Sequence, residues 1–355
     1  MIALAADVHV ANHRVVGGPL VSGINSRGRM TLEALRGAFR AACDDGASAF
    51  VLLGDTFDSP HPEPQLIRGV QDAMGEAGCP VYFLLGNHEA RSDQPGDHSL
   101  GPLAVPVPDG CCFGAVCDEP TVVGSHPASV LLLPYDSGMT LEKLGDCVSD
   151  AVWDRGYFGA VGMHQGIYDD STPPYLRRDG GALEALGLLK LLDKLNVRFA
   201  FSGHWHAFTR WSYASPSPNV EVFQVGALCP VGWRNPGGDE SYGTVLLWDG
   251  GSVRRVVVPG PRFYTTPLTD MALELRKEPG ARVRLLSEEP DTDVVEFEDD
   301  PLVWVQPVGS DRARCSGAVA GASVDELVVS FVDSMDLPGG VDRDSVLSRV
   351  RGYMS

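Results

Sequence analysis

The sequence lacks a CxxC pair, a regular cysteine spacing and any apolar run long enough to span a membrane. Its eight cysteines are scattered, and we interpret them as reduced thiols. A spanning helix needs about 20 consecutive apolar residues, and no such run occurs. The first residues also lack the charged region typical of a signal peptide. We therefore expect a cytosolic (cytoplasmic) protein with no membrane partner.

Basic residues are scarce. Lys and Arg together number 28 against 47 Asp and Glu, which gives a formal net charge of −19. Proteins that grip phosphate backbones usually carry a basic surface, so this charge argues against non-specific affinity for nucleic acids. Many carboxylates lie between 288 and 300, a stretch without Lys or Arg that we interpret as a solvated loop. Metal binding would offset part of the charge.

Short apolar runs alternate with amphipathic stretches from residue 1 to 260, which is typical of a layered α/β domain. Helical spacing of apolar residues recurs around Leu35, Val70 and Leu189. The predicted strands are Ile2–Ala6, Ala49–Leu53, Val81–Leu85, Val130–Leu133, Ala160–Met163 and Phe199–Ser202. Four later β-rich segments predict a meander that closes one side of the sheet: Thr209–Tyr213, Val220–Val225, Thr244–Trp248 and Val253–Val258.

A Pro-Gly-Pro break at 259–261 predicts a domain boundary, with a catalytic domain at 1–260 and a smaller α+β domain at 262–355. The predicted elements of the smaller domain are strands at Val283–Leu285, Val294–Phe297 and Leu302–Val305, then helices at Val324–Phe331 and Ser345–Tyr353.

Five short polar blocks each follow a predicted strand: Asp7-Val8-His9, Gly54-Asp55-Thr56-Phe57-Asp58, Gly86-Asn87-His88-Glu89, Gly162-Met163-His164 and Gly203-His204-Trp205-His206. Strand ends in an open α/β sheet converge on one crevice. Carboxylate, amide and imidazole donors suit Mn, Fe or Zn. Residues two apart in extended chain point the same way, so a DxH or HxH segment can present two ligands. Each block alone is weak evidence, but the ordered set predicts a metal centre.

This ordered set resembles the calcineurin-like metallophosphoesterase superfamily over residues 1 to about 260. The resemblance implies an α/β (α+β) fold, a four-layer αββα sandwich, with a small C-terminal α+β capping domain. It also implies two divalent ions, with Mn expected and Fe, Zn or Mg as alternatives. One ion would be held by Asp7, His9, Asp55 and His206, and the other by Asp55, Asn87, His164 and His204. His88 would stay outside the metal shell as a general acid or transition-state stabiliser.

The segment Gly54-Asp55-Thr56-Phe57-Asp58 is similar to the corresponding block of the SbcD/Mre11-type DNA repair exonucleases. Protein Ser/Thr phosphatases of the superfamily instead carry Arg-Gly after the second Asp, where this chain has Ser59-Pro60. The resemblance implies a DNA exonuclease or endonuclease acting in repair or recombination, with DNA as substrate. Residues 262–355 would then supply a capping domain and a helical tail that docks an SbcC/Rad50-type ATPase. Formation of a homodimer is left open.

Two other functions stay open: a small-molecule or cyclic-nucleotide phosphodiesterase on the same fold, and a non-catalytic scaffold. A scaffold would be expected to have lost a ligand, and none is missing. The size of the appendage after the last core strand favours the nuclease over an esterase of small substrates.

Two arginines of the insertion between His9 and the first helix, Arg14 and Arg27, are candidate substrate contacts because the guanidinium fork suits phosphate oxygens. The alternative is an ordinary polar surface loop. Asp58 is expected to cap a turn or to orient a ligand histidine.

Overall fold

The computed structural model describes residues 1–13, 17–92, 94, 96–105, 113–213, 219–231, 242–267, 281–287, 303–307 and 342–354. The strands in these ranges are β1 (Ile2–Ala5), β2 (Leu20–Val21), β3 (Ile24–Asn25), β4 (Ala49–Leu52), β5 (Val81–Leu84), β6 (Gly114–Cys117), β7 (Thr121–Ser125), β8 (Ala128–Leu133), β9 (Ala160–Met163), β10 (Ile167–Tyr168), β11 (Leu183–Glu184), β12 (Phe199–Ser202), β13 (Thr209–Tyr213), β14 (Val220–Gln224), β15 (Thr244–Trp248), β16 (Val253–Val257), β17 (Arg262–Pro267), β18 (Ala281–Ser287) and β19 (Val303–Pro307). The helices are α1 (Ser26–Asp44), α2 (Pro64–Met74), α3 (Leu141–Arg155), α4 (Ala185–Lys194) and α5 (Arg343–Met354).

Two mixed six-stranded sheets dominate the N-terminal part of the chain. The first sheet has the order β16-β15-β1-β4-β5-β6, and the second has the order β13-β14-β12-β9-β8-β7. Strands β1, β4, β5 and β6 are parallel, as are β14, β12, β9 and β8, while the remaining strands join antiparallel. Parallel strands send their carboxyl ends to one edge of a sheet, where ligands bind in open α/β folds.

Side-chain alternation along the buried strands builds separate apolar cores on the two faces of each sheet. On β1, Ile2 and Leu4 belong to the core between the sheets, whereas Ala3 and Ala5 pack under α1 and α2. A third apolar cluster packs α3 and α4 against the second sheet. Helices therefore cover the outer faces of two stacked sheets, and the predicted mixed α/β fold is confirmed.

The predicted meander is wrong. Strands β13 and β14 join the second sheet, while β15 and β16 join the first. Four of the five β14 residues are buried, as are all five of β15, so each strand lies between two neighbours. The meander fails because β14 pairs with β12 and β15 pairs with β1, so the two hairpins lie in different sheets. Helix α3, which begins after Thr140, was not predicted, and α4 begins at Ala185 because Leu183 belongs to β11.

The chain divides into two compact units, Met1–Tyr264 with Lys277–Arg282, and Thr265–Arg276 with Val283–Ser355. Strands β17, β18 and β19 form a three-stranded sheet. Strand β18 and helix α5 cover the predicted Val283–Leu285 and Ser345–Tyr353 elements, and β19 overlaps the predicted Leu302–Val305 strand. The domain boundary after Pro261 and the capping role stay predictions. The predicted elements Val294–Phe297 and Val324–Phe331 and the acidic stretch 288–300 lie outside the described residues. Across those described residues, no helix combines the length and apolarity needed to cross a membrane.

Candidate metal centre

The polar blocks follow the carboxyl ends of parallel strands in both sheets. Asp7 and Asp55 come after β1 and β4, and Asn87 comes after β5 in the same sheet. His164 and His204 follow β9 and β12 of the second sheet. Because the two sheets stack face to face, both sets of loops meet at one edge of the sandwich.

The backbone of this edge is held in an uncommon conformation. Asp7, His9, Asp55 and His204 have φ values of 52°, 50°, 51° and 84°, in the left-handed region. Non-glycine residues rarely adopt it, and those that do cluster at functional sites. The loops after β1 and β4 are also bonded together, since the Asp7 N–H donates to Gly54 O at 3.2 Å and the His9 N–H donates to Asp55 O at 3.0 Å.

The first cluster consists of Asp7, His9 and His206, whose ligand atoms lie within 4.8 Å of one another. The His9 Nδ1 is 3.0 Å from Asp58 Oδ1, so its Nε2 faces His206 Nε2 at 3.1 Å. Burial lowers the pKa of His206 to about 3, and the nearby charge of His9 is the second cause. The His206 imidazole is therefore neutral. Two imidazole nitrogens can converge in this way only with a proton or a metal cation between them. Both carboxylate oxygens of Asp7 accept the His204 N–H, at 2.9 and 3.1 Å.

The second cluster consists of Asp55, His164 and His204, with Asn87 beside them. His164 Nδ1 donates to Leu53 O at 2.7 Å, which turns its Nε2 toward Asp55 Oδ2 at 3.3 Å. Asn87 Oδ1 lies 3.1 Å from His164 Nε2 and 3.0 Å from His204 Nδ1. An amide oxygen, a carboxylate oxygen and two imidazole nitrogens thus converge, a donor set that suits a divalent transition metal.

Asp55 lies between the two clusters. Its Oδ2 is 3.7 Å from His9 Nε2 on one side and 3.3 Å from His164 Nε2 on the other, while its Oδ1 accepts the His88 N–H at 3.0 Å. Burial raises the pKa of Asp55, but the neighbouring histidines, His164 foremost, lower it by more than burial raises it. The net pKa lies below the usual range, so the carboxylate is ionised. This is the position that a bridging ligand requires, and the His/Asp clusters fit a dimetal site.

His88 lies beside both clusters but belongs to neither the Asp7 cluster nor the Asp55 cluster. Its Nδ1 lies 3.2 Å from the Asp58 carbonyl oxygen, and its Nε2 is 3.9 Å from Asp55 Oδ2. The side chain is 40 % exposed, so substrate and solvent can reach it. His9, Asp58 and His88 are also close enough to hold an ion, but His9 Nδ1 is already engaged by Asp58.

Asp58 contacts His9 and orients its ring, which is one of the two roles that the sequence suggested for this residue.

Asp179 contacts the metal centre, but the sequence did not predict it. The Oδ2 of Asp179 lies 2.7 Å from His204 Nε2 and accepts a hydrogen bond from Trp205 Nε1 at 3.3 Å. It follows a short 3-10 turn, Leu176–Arg178. No spacing rule connects this turn to the His204 block, so the sequence carries no signal for the contact.

Glu89 is the second residue to which the sequence assigned no role. It is fully buried, and its carboxylate accepts the backbone N–H groups of Asp55, Phe57 and Gly86 at 3.1, 3.0 and 3.0 Å. Burial, with Asp55 second, raises the pKa of Glu89 to about 8. It therefore ties the loops after β4 and β5 together. An acidic residue directly after Asn87-His88 was the available signal.

The two candidate substrate contacts differ in what the structure describes. Arg14 lies outside the described residues. Arg27 is only 4 % exposed, donates to the carbonyl oxygens of Pro230 and Val231, and lies over the Phe263 ring at 4.6 Å. Burial, with Arg282 second, lowers the pKa of Arg27 to about 10. These contacts are internal to the fold, and the substrate role of Arg27 stays a prediction.

The family model of the calcineurin-like phosphoesterases matches residues 1–208, and the chain belongs to that family. Among solved structures, the chain is similar to TT1561 of Thermus thermophilus, with a TM-score of 0.44 and 13% identity over 73% of this chain and 98% of that chain. It is also similar to a dimetal phosphatase of Danio rerio, with a TM-score of 0.42 and 12% identity over 73% of this chain and 98% of that one. No curated protein sequence matches the chain. The family and the His/Asp clusters make the chain a metal-dependent phosphoesterase.

Proposed function

We propose that the chain is a phosphodiesterase with a two-metal centre. The observation that carries the proposal is the position of Asp55 Oδ2, within 4 Å of imidazoles from both clusters. The ligands are the residues assigned from the sequence: Asp7, His9, Asp55, Asn87, His164, His204 and His206.

A diester fits the surroundings better than a monoester. A cleft borders the clusters at His204 and His206, and none of its described lining residues is Lys or Arg. A phosphomonoester dianion needs more positive charge around it than a diester monoanion does. The cleft beside His204 and His206 therefore suits a phosphodiester, which carries less negative charge than a phosphomonoester.

The protein's own residues orient the ligands and supply the proton for the leaving group. When bound, two divalent ions supply Lewis-acid polarisation of the phosphoryl group and activation of water. Asp58, Asp179 and the Leu53 carbonyl each engage the second nitrogen of a ligand histidine, which fixes ring orientation. His88, with its Nδ1–H held by the Asp58 carbonyl, directs Nε2 to the site. A protonated Nε2 there donates to the departing alcohol oxygen.

A nuclease of the SbcD/Mre11 type is the more specific form of this proposal, and an esterase of small or cyclic nucleotides is its alternative. The length of the segment after the predicted boundary, residues 262–355, supports the first, because an esterase of small substrates needs no appendage of this size. The net charge of −19 favours the second. The ATPase partner and the homodimer stay predictions.

The test is a Mn-dependent hydrolysis panel with the full chain. The substrates are single-stranded, double-stranded and hairpin DNA, bis-p-nitrophenyl phosphate, cyclic nucleotides and p-nitrophenyl phosphate as the monoester. We expect hydrolysis of diesters in preference to the monoester, and no hydrolysis by Asp55→Asn. Turnover of the monoester alone would contradict the proposal. Cleavage of DNA but not of cyclic nucleotides would select the nuclease.

A further inference from the structure

A cleft of about 760 Å³ opens beside the metal centre, next to His204 and His206. Its lining includes Pro173 and Tyr175 from the segment after β10 and Trp211 from β13. Its volume lies within the range of about 300 to 1,000 Å³ that is usual for small-molecule sites. The cleft is thus large enough for a substrate portion bonded to a phosphate at the metals.

The walls are rich in aromatic side chains. Tyr175, Trp205, Trp211 and Tyr242 all line the cleft. No Lys or Arg is found among its described lining residues, and the carboxylate of Asp169 accepts a hydrogen bond from Trp211 Nε1 at 2.8 Å. A polyanionic strand lying along such a surface would lack counter-charges, whereas a flat uncharged ring system would find stacking partners.

Two of these rings are fixed before any ligand arrives. The Trp205 indole donates to Asp179 and packs so closely on Gly166 that a Cβ there would lie 2.5 Å from the ring. Trp211 is held by Asp169. Tyr175, by contrast, is 74 % exposed at the rim. Rigid walls lower the ordering cost of binding, and an exposed aromatic at the rim can cover a bound ring.

The polar side chains of the cleft are largely engaged within the protein. Gln224 Nε2 donates to the carbonyl oxygens of Ser202 and Gly203, and its Oε1 accepts the Ile167 N–H at 3.1 Å. The Ser171 hydroxyl donates to Asp169 at 2.6 Å. Few groups are left to bind the edge of a heterocycle, so recognition by stacking tolerates different rings.

From this cleft we infer that the enzyme binds the nucleobase of its substrate between Tyr175 and the fixed indoles, with little distinction between bases. The location of the adjoining phosphate at the two clusters rests on the proposed function. The substrate class is therefore a diester with a nucleoside on one side, either a small nucleotide or the terminal nucleotide of a strand.

Calorimetric titration of the full, Mn-loaded chain tests this inference without turnover. The ligands are adenosine 5′-monophosphate, cytidine 5′-monophosphate and ribose 5-phosphate, which share the phosphate and the sugar. We expect both nucleotides to bind about tenfold more tightly than ribose 5-phosphate, the effect of one stacked base. Tyr175→Ala should remove about fivefold or more of that difference and leave ribose 5-phosphate unchanged. Tyr157→Ala, an exposed tyrosine outside the cleft lining, is the matched control.

Equal affinity for nucleotides and ribose 5-phosphate, or nucleotide binding insensitive to Tyr175→Ala, would overturn the inference. A strong preference for one of the two nucleotides would overturn the stacking mode. Turnover of bis-p-nitrophenyl phosphate, measured in parallel, separates the two proposals. Turnover of the diester without a preference for nucleotides would support the phosphodiesterase proposal and reject nucleobase binding in the cleft. A preference for nucleotides without turnover would support nucleobase binding and reject the phosphodiesterase proposal.

Discussion

The Oδ2 of Asp179 lies 2.7 Å from Nε2 of His204, and this contact turns the Nδ1 of the same ring toward Asn87. Asp58 does the opposite with His9, engaging Nδ1 and leaving Nε2 for the site. His9 and His204 therefore present different ring nitrogens to the site, each selected by a carboxylate. Such contacts fix the tautomer and raise the basicity of a metal-ligating imidazole.

Asp179→Asn should weaken binding of one metal ion by about 10- to 100-fold, because the amide no longer supports the charge and tautomer of His204. Metal titration followed by calorimetry measures this. The matched control is Asp170→Asn, a fully exposed carboxylate of the same segment. Equal metal affinity in the two variants would show that the Asp179 contact is dispensable.

Asp55→Asn should lose both ions, since one carboxylate oxygen lies between the two clusters. Metal analysis of the purified variant by mass spectrometry gives the ion count per chain. Retention of two ions would refute the bridging role, and retention of one would assign Asp55 to a single cluster.

His88→Ala should keep its metals and lose about 10²- to 10⁴-fold in turnover, the usual contribution of a positioned proton donor. His206→Ala should instead lose metal occupancy, because its Nε2 faces His9 Nε2 at 3.1 Å. Metal content and diester hydrolysis are measured on both variants. A His88→Ala protein with an empty metal site would reverse the assigned roles.

Metal loading near pH 7 should release protons. Burial lowers the pKa of His164, but Asp55 and the Leu53 carbonyl raise it by more, to about 10. In the metal-free protein at pH 7 the ring is therefore an imidazolium, with both nitrogens protonated. A metal ligand needs that lone pair, so binding weakens as pH falls. In the metal-free protein, the raised pKa stabilises the fold fully below the unfolded value of 6.5, and this contribution is lost as pH rises through about 10.

Calorimetry of Mn binding in two buffers of different ionisation enthalpy measures the released protons. A binding enthalpy that does not depend on the buffer would contradict protonation of His164. His164→Gln is the control variant, because its amide has no proton to release in this range.

The sequence was sufficient to predict the buried strands and the blocks that follow them. Parallel strands end at one edge, so Asp7, Asp55 and His164 converge whatever the details of the loops. Contacts set by irregular chain could not be predicted in this way. Asp179 reaches His204 from a short turn, and no periodicity reports such a contact.

The allocation of later strands to sheets was also beyond the sequence. The apolar residues of Val220–Gln224 and the continuous apolar run in Thr244–Trp248 indicate buried strands, but both sheets offer apolar edges of the same kind. The pairing partner depends on the path of the whole chain. This is why a meander was predicted where the structure adds an antiparallel pair to each sheet.

The left-handed backbone at Asp7, His9 and Asp55 affects how knockout variants should be interpreted. Alanine tolerates that conformation less well than aspartate or asparagine, and such substitutions destabilise a protein by more than about 0.4 to 1 kcal/mol. In alanine variants of these positions, the loss of a ligand atom and the distortion of the turn would occur together. A loss of activity could then not be assigned to the missing ligand atom alone. At Asp7 and Asp55, asparagine keeps both the side-chain shape and the tolerance for this backbone, so it reports the loss of a charged ligand atom without a distorted turn.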